Sequence, residues 1–493
     1  MMTKIIKNHI WFILLSLIYF IFIIFTYKSF GITDDEFVEY RAGKSLLNFY
    51  QTGEERNFNL SNTHLPSNAL YFRVHLAIYN FLNPNFYYEV FHLLNFIFSY
   101  FLILGIYLLF YSYYQNKYYS LIPVLMLILT PRVFGDFPAN PKDIPFAIFF
   151  FFSLFLIYLL QKRFSFFLLV FLGICIGVAS SLRLIGLSLV FIFFFYHLIY
   201  SGKLTINFVK YAFLLVFIVL LTQFVSLPYL WSDTVNKFIN LITQSSSFSL
   251  WNNTNLYFGE FIGKEVRSRG YLFVWIGITT PIFILGLYFW SLTVLKKVKE
   301  NSLLLLFNLA IFINLLLYIV INPVIYNGPR HFIFVLMLIS LQAATFLIDL
   351  LKKLPVQKSK LLLSIFVVHS LFILLFYFKF HPYYYVYFNE LVGQKNAQGQ
   401  FDYDYWGASY KEMVQILKND SSISSKDFSV YPCSQATGVV YFSEGKFKVV
   451  SKVNEANFIV CDIDSDKREG FRYPIYGEVK RDNITIGIIR KVQ

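Results

Sequence analysis

Apolar residues fall along this chain in long blocks with few charges inside them, and the blocks recur from near residue 9 to near residue 378. Each is about as long as the roughly 20 residues a helix needs to cross about 30 Å of hydrocarbon, where every backbone group must bond within its own segment. The pattern predicts an α-helical polytopic membrane protein with about 11 transmembrane helices. The expected spans are 9–27, 88–110, 118–133, 144–161, 165–181, 184–200, 208–228, 271–293, 302–321, 331–350 and 360–378. Past residue 379 the apolar runs shorten and charge rises. "KFKVVSKV", "NFIVCDI" and "ITIGIIRKV" read as strands and "SYKEMVQILKN" as an amphipathic helix. The chain thus divides into a transmembrane domain over 1–378 and a small extramembrane α/β domain over 379–493.

Composition excludes a water-soluble protein: the 493 residues are 57% hydrophobic, 21% aromatic and only 14% charged, with a mean hydropathy of +0.57. The formal charge of +14 is scattered between the apolar blocks and forms no basic domain, so a nucleic-acid partner is not expected. Its distribution instead sets an orientation. Lys4, Lys7, Lys117, Lys162, Arg163, Lys203, Lys296, Lys297, Lys299, Lys352, Lys353, Lys358 and Lys360 all fall on one side if the N-terminus is cytoplasmic. Loops 28–87, 134–143, 229–270 and 322–330 and the C-terminal domain then lie outside the plasma (inner) membrane. The first block reads as a signal anchor, since no small-residue cleavage pattern follows it. Cys175, Cys433 and Cys461 have no metal-site spacing, and the last two pair only if the fold brings them together.

The unusual chemistry gathers on the outer side. Asp34, Asp35 and Glu36 follow the first span, with Glu39, Arg41 and Lys44 beyond them. Three adjacent acids repel, so they need solvent, a cation or basic neighbours, although an acid-rich helix start capped by Thr33 or Asp34 explains them too. The second loop places Arg132, Asp136, Lys142 and Asp143 among Pro131, Pro138, Pro141 and Pro145, a stiff charged loop suited to an ionic head group or to a structural cap. Arg183, Arg330 and His331 mark outer helix ends, where an arginine can also snorkel to lipid phosphates, and Lys264, Arg267 and Arg269 add charge to the third loop. His64, His75 and His92 lack the spacing of a helical metal pair and read as core or interface residues. Oxygen ligands such as Asp34 and Asp35 suit Mg2+ or Mn2+. In "FDYDYWGASYKEM", Asp402 and Asp404 alternate with Tyr403 and Tyr405 ahead of Trp406; aromatic faces beside carboxylates suit a sugar, and Tyr403, Asp404 and Trp406 are candidates for an acceptor contact or lid.

The order and common outer placement of "ITDDEFVEYRAG", "PRVFGDFPANPKDIPFA", "SSLRLIG" and "NPVIYNGPRHFIFVLM" resemble the GT-C membrane glycosyltransferases, in the protein O-mannosyltransferase and lipid A aminoarabinose transferase-like group, glycosyltransferase family 39. The resemblance covers about residues 5–378 and implies a GT-C-like fold. It also implies transfer of a sugar from a polyprenyl-phosphate-linked donor to a lipid, glycan or protein acceptor of the cell envelope, with inversion at the anomeric carbon. Carried onto this chain, it makes Asp34 or Asp35 the base or orienting group, with Asp35 narrowly preferred. Glu36 completes the polar network, Asp136 or Asp143 is the second-loop acid, and Lys142, Arg183 and Arg330 bind the donor phosphate. The chain lacks the repeats and central soluble domain of the larger eukaryotic protein mannosyltransferases. A transporter or flippase of a lipid-linked saccharide is the alternative from another class, since it too needs many spans and internal charge.

Overall fold

The computed structural model describes residues 2–53, 87–247, 253–265, 267–294, 301–423, 427–434 and 436–492. Most of the 28–87 loop, with His64 and His75, lies outside the described residues, as do Lys296, Lys297 and Lys299. The membrane part begins with α1 (Met2–Thr26), α2 (Asp34–Thr52), α3 (Tyr87–Tyr114), α4 (Leu121–Ile128), α5 (Pro131–Phe134), α6 (Asp143–Lys162) and α7 (Phe166–Leu182). It continues with α8 (Ser188–Ser201), α9 (Ile206–Ser226), α10 (Thr234–Ser247), α11 (Tyr271–Thr279), α12 (Ile282–Thr293), α13 (Ser302–Ile321), α14 (Ile333–Lys353) and α15 (Val356–Phe380).

Eight helices among the described residues are long and apolar enough to cross a membrane, or nine if α11 and α12 are one bent span. The expected 11 is therefore too many. Residues 118–133 do not form a span: Thr130 is extended ahead of Pro131, which ends the short α4 before a single-turn α5. The 271–293 block is bent by 120° at Thr280–Pro281, again because the residue before a proline is driven out of helical conformation. Helix α7 has 17 residues and falls short of the others.

Burial sorts the helices by position. In the most apolar stretch of Arg330–Lys353, 89% of residues are buried, against 17% in the first and last spans, whose exposed Phe25 and Phe378 need a lipid environment. Gly173 and Gly177, four apart on α7, let α9 approach until a methyl on either would collide with Ile218 or Thr222, the small-residue packing common between membrane helices.

The C-terminal region carries a five-stranded mixed sheet in the order β4 (Lys448–Val449), β3 (Ser429–Pro432), β5 (Phe458–Asp462), β7 (Ile484–Lys491), β6 (Ile475–Arg481). Strands β3, β4 and β5 are parallel, and β6 and β7 close the sheet as an antiparallel hairpin. All five residues of central β5 are buried. Helix α16 (Tyr410–Asn419) packs on the sheet where the amphipathic pattern places it. A Cys433–Cys461 disulfide joins the ends of β3 and β5, with the Cα atoms 5.0 Å apart. A small hairpin, β1 (Asn255–Tyr257) and β2 (Glu260–Ile262), bridges to Phe401 and lies between the membrane part and this sheet.

Candidate active site

The three acids that follow the first span share the first turn of α2 but point to different sides of it. Glu36 is fully buried, and its carboxylate accepts the Thr33 N–H at 2.8 Å and lies 2.8 Å from His92 Nε2. It closes the start of α2 as a capping box. The Thr33 hydroxyl lies 3.0 Å from the Ala139 carbonyl, tying this turn to the second loop. Asp34 and Asp35 consequently face the other way, into two cavities.

Asn140 organises the second loop. Its Nδ2 donates to Asp136 at 2.9 Å and to Asp143 at 3.2 Å, and its Oδ1 accepts the Asp143 N–H at 2.8 Å. Asp143 is in turn the counter-ion of Arg183. Lys142 lies 3.6 Å from Glu39, and Arg330 donates to Asp35 at 2.6 Å. Each of the three predicted phosphate-binding cations is thus held by a carboxylate from another segment, at sites where an unpaired charge would be costly. Burial pushes the Asp136 carboxyl up to about 8; Asp143 adds to this, against the Asn140 hydrogen bond and the pull of Arg132 and Arg330.

The first cavity, of about 160 Å³, has Lys142, Arg183, Arg330 and His331 beside Asp35 and Glu39, with Leu182, Leu184, Ile185, Leu227 and Leu241 completing an apolar wall. Leu241, Gln244 and Ser245 bring α10 over it. The second, of about 250 Å³, lies against the C-terminal sheet and is lined by Asp34, Asp35, Asp402, Asp462 and Asp464 with Tyr405, Arg330 and Arg468. Asp35, Val38, Tyr326 and Arg330 line both, so the cavities meet at the Asp35–Arg330 ion pair. The Arg330 guanidinium also rests over Tyr326 at 4.8 Å and Trp406 at 5.6 Å.

Asp34 is exposed by area, but part of its surroundings is the second cavity, so protein still crowds it. The loss of surrounding water that this crowding causes, with Asp35 and Asp462, pushes its carboxyl up to about 7 against Arg330.

The chain matches ArnT from Cupriavidus metallidurans bound to undecaprenyl phosphate, with a TM-score of 0.53 at 12% identity over 97% of this chain and 98% of that one. The apo state of the same ArnT matches with a TM-score of 0.52 at 11% identity, over 97% of each chain. It is GT-C-like in fold. No family model and no curated protein matches its sequence.

Within this ArnT-like frame, Asp34, Asp35, Lys142, Arg183 and Arg330 reach the cavities, while Glu36, Asp136 and Asp143 support them from behind. Tyr403, Asp404 and Trp406 are almost fully buried and line neither cavity. Asp404 accepts the backbone N–H groups of Ala408 and Ser409 at 3.1 Å, ahead of α16, and the Tyr403 hydroxyl donates to Gln394 at 2.9 Å. Their neighbours Asp402 and Tyr405 line the acidic cavity instead. Asp462 and Asp464 had a signal in "CDIDSD", which follows a strand-like run. Among the described residues no three of His, Cys, Asp or Glu are placed to hold one metal ion, and Asp35 is committed to Arg330.

Proposed function

We propose that this protein transfers a sugar from a polyprenyl-phosphate-linked donor to a hydroxyl acceptor of the cell envelope, on the outer side of the membrane. The observation that carries the reading is the junction of a basic, apolar-walled cavity with an acidic one at Asp35–Arg330, within a fold similar to that of a protein bound to undecaprenyl phosphate. The lipid phosphate occupies the basic cavity against Lys142, Arg183 and Arg330, with the isoprenoid leading away along the apolar wall.

The acceptor oxygen attacks the anomeric carbon from the face opposite the phosphate. As the new C–O bond forms, the bond from the anomeric carbon to the phosphate oxygen breaks, its electron pair leaves on the phosphate, and the configuration inverts. Arginine and lysine donors offset the charge that grows there. The acceptor proton goes to Asp34. A carboxyl raised to about 7 is a stronger base than an ordinary carboxylate and is about half ionised at neutral pH. Asp35, bound to Arg330, orients the acceptor and holds that arginine toward the phosphate.

The test is turnover by the purified full chain in lipid nanodiscs with a panel of polyprenyl-phosphate sugars, following polyprenyl phosphate release and glycosylated product by mass spectrometry. Product that disappears in Asp34→Asn while donor binding persists supports the reading. Movement of donor across vesicle membranes with no transfer overturns it in favour of a flippase.

A further inference from the structure

The acidic cavity has a chemistry that the donor does not explain. Five carboxylates line it, from Asp34, Asp35, Asp402, Asp462 and Asp464, against the guanidinium groups of Arg330 and Arg468. Arg330 is already paired with Asp35, so the remaining wall is rich in carboxyl groups and holds one other guanidinium, that of Arg468.

The carboxylates arrive from three distant segments and spread around about 250 Å³, far more than the roughly 10–15 Å³ that one water requires. Asp464 is 8% exposed. One of its oxygens accepts the Tyr403 N–H at 2.6 Å, and among the described residues no hydrogen bond reaches the other. Burial, Asp402 and Asp462 raise its carboxyl well above the ordinary carboxylate range, so it holds its proton, and a cation placed beside it would favour the charged form. Tyr405 and Tyr326 supply aromatic faces, and Asn253, Asn327, Ser434 and Ser465 supply neutral polar groups of the kind that hold a hydroxylated ligand.

Resting on the glycosyl-transfer reading, we infer that the acidic cavity selects an acceptor that presents its hydroxyl on an amine-bearing saccharide frame, and rejects acceptors carrying phosphate or carboxylate. A protonated amine among Asp402, Asp462 and Asp464 favours the charged form of Asp464, and leaves a hydroxyl free to face Asp34 at the junction. A phosphorylated acceptor meets carboxyl groups on three sides and finds only Arg468 outside the Asp35 pair.

The experiment is binding of three soluble probes to the full chain in nanodiscs near neutral pH: a glucosamine oligomer, its N-acetylated counterpart and a phosphorylated oligomer of equal length. Binding of polyprenyl phosphate is measured alongside. The glucosamine oligomer is expected to bind at least about tenfold more tightly than the N-acetylated one, and the phosphorylated one more weakly than both. Asp464→Asn should collapse the preference for the amine while leaving the N-acetylated oligomer's affinity unchanged, which a merely misfolded cavity would not do. Arg468→Gln, which removes a cation from the rim, should sharpen the preference. Equal binding of amine and N-acetyl probes, or tighter binding of the phosphorylated one, overturns the inference. If polyprenyl phosphate binding or sugar transfer fails while the amine preference stands, the transfer reading falls separately.

Discussion

Arg330 Nη1 donates to Asp35 Oδ2 at 2.6 Å across 295 residues of sequence, and both residues line both cavities. One guanidinium therefore faces the basic and the acidic cavity together. Arg330→Gln removes a charge-assisted donor worth about 1.5–3 kcal/mol and strands Asp35. Polyprenyl phosphate affinity should fall about ten- to a hundredfold, with Arg330→Lys recovering only part because a point charge cannot reproduce the fork. Lipid-induced thermal stabilisation of the two variants checks this, and an unchanged shift in Arg330→Gln would remove Arg330 from the donor site.

Asp34 and Asp35 should separate by pH. If Asp34 is the base, its ionised form is the active one, so turnover rises as pH passes through about 7 and levels off above it. Asp34→Asn should lose that limb along with about 10²–10⁴-fold in rate. Asp35→Asn should weaken donor binding as well, and keep the limb in whatever activity remains. A limb that survives in residual Asp34→Asn turnover would give the base to another group.

Asp136 carries a stability consequence with a definite sign. Its carboxyl is raised from 3.8 to about 8 in the folded chain, so the native state holds the proton more tightly than the unfolded one. That contribution is complete below about pH 4 and is lost as pH rises toward 8, by up to about 1.4 kcal/mol per pH unit. Asp136→Asn cannot ionise and can still accept from Asn140, so its melting temperature should decline less than the parent's between pH 6 and 8. Parallel melting curves would contradict the burial argument.

Gly31 sits where the acidic turn passes the C-terminal segment, and a methyl there would run into the Ala408 carbonyl. Because the obstacle is backbone, Gly31→Ala must displace the turn that carries Asp34 and Asp35, at about 1–3 kcal/mol. Turnover should drop sharply while lipid extraction and helix content stay normal; full activity would show that the turn has room to move.

The Cys433–Cys461 disulfide closes 28 residues of chain beside Ser434 and Asp462, two residues of the acidic cavity. Replacing both cysteines by serine should destabilise the C-terminal domain by about 2–4 kcal/mol. Limited proteolysis with and without reductant measures this, and identical cleavage rates would count against it.

The membrane character was legible because apolar blocks of span length have no competing use in so uncharged a chain. The number of spans was not, because hydropathy averages over Pro131 and Pro281, whose effect on the preceding residue turns two continuous blocks into broken ones. The acidic triplet stood out in the sequence, but its division did not: only the rotation of α2 sends Glu36 toward His92 and Asp34 toward the cavity. The pairings of Lys142, Arg183 and Arg330 with Glu39, Asp143 and Asp35 join distant segments that no local spacing relates. Among the aromatic and acidic residues of 401–406, alternation marked the segment, yet the ones facing the cavity are Asp402 and Tyr405, since Asp404 is used to hold the backbone ahead of α16.

Lys411 reaches from α16 to the backbone carbonyls of Lys28 and Phe30, and Tyr441 donates to Glu89 at 2.7 Å, so the C-terminal sheet is fastened to the first two spans. The acidic cavity takes walls from Asp34 at the start of the chain and from Asp464 close to its end. During synthesis, then, every residue that lines the basic cavity is made well before the residues that complete the acidic one. The acidic cavity therefore exists only once the C-terminal domain has folded and docked against the start of the chain.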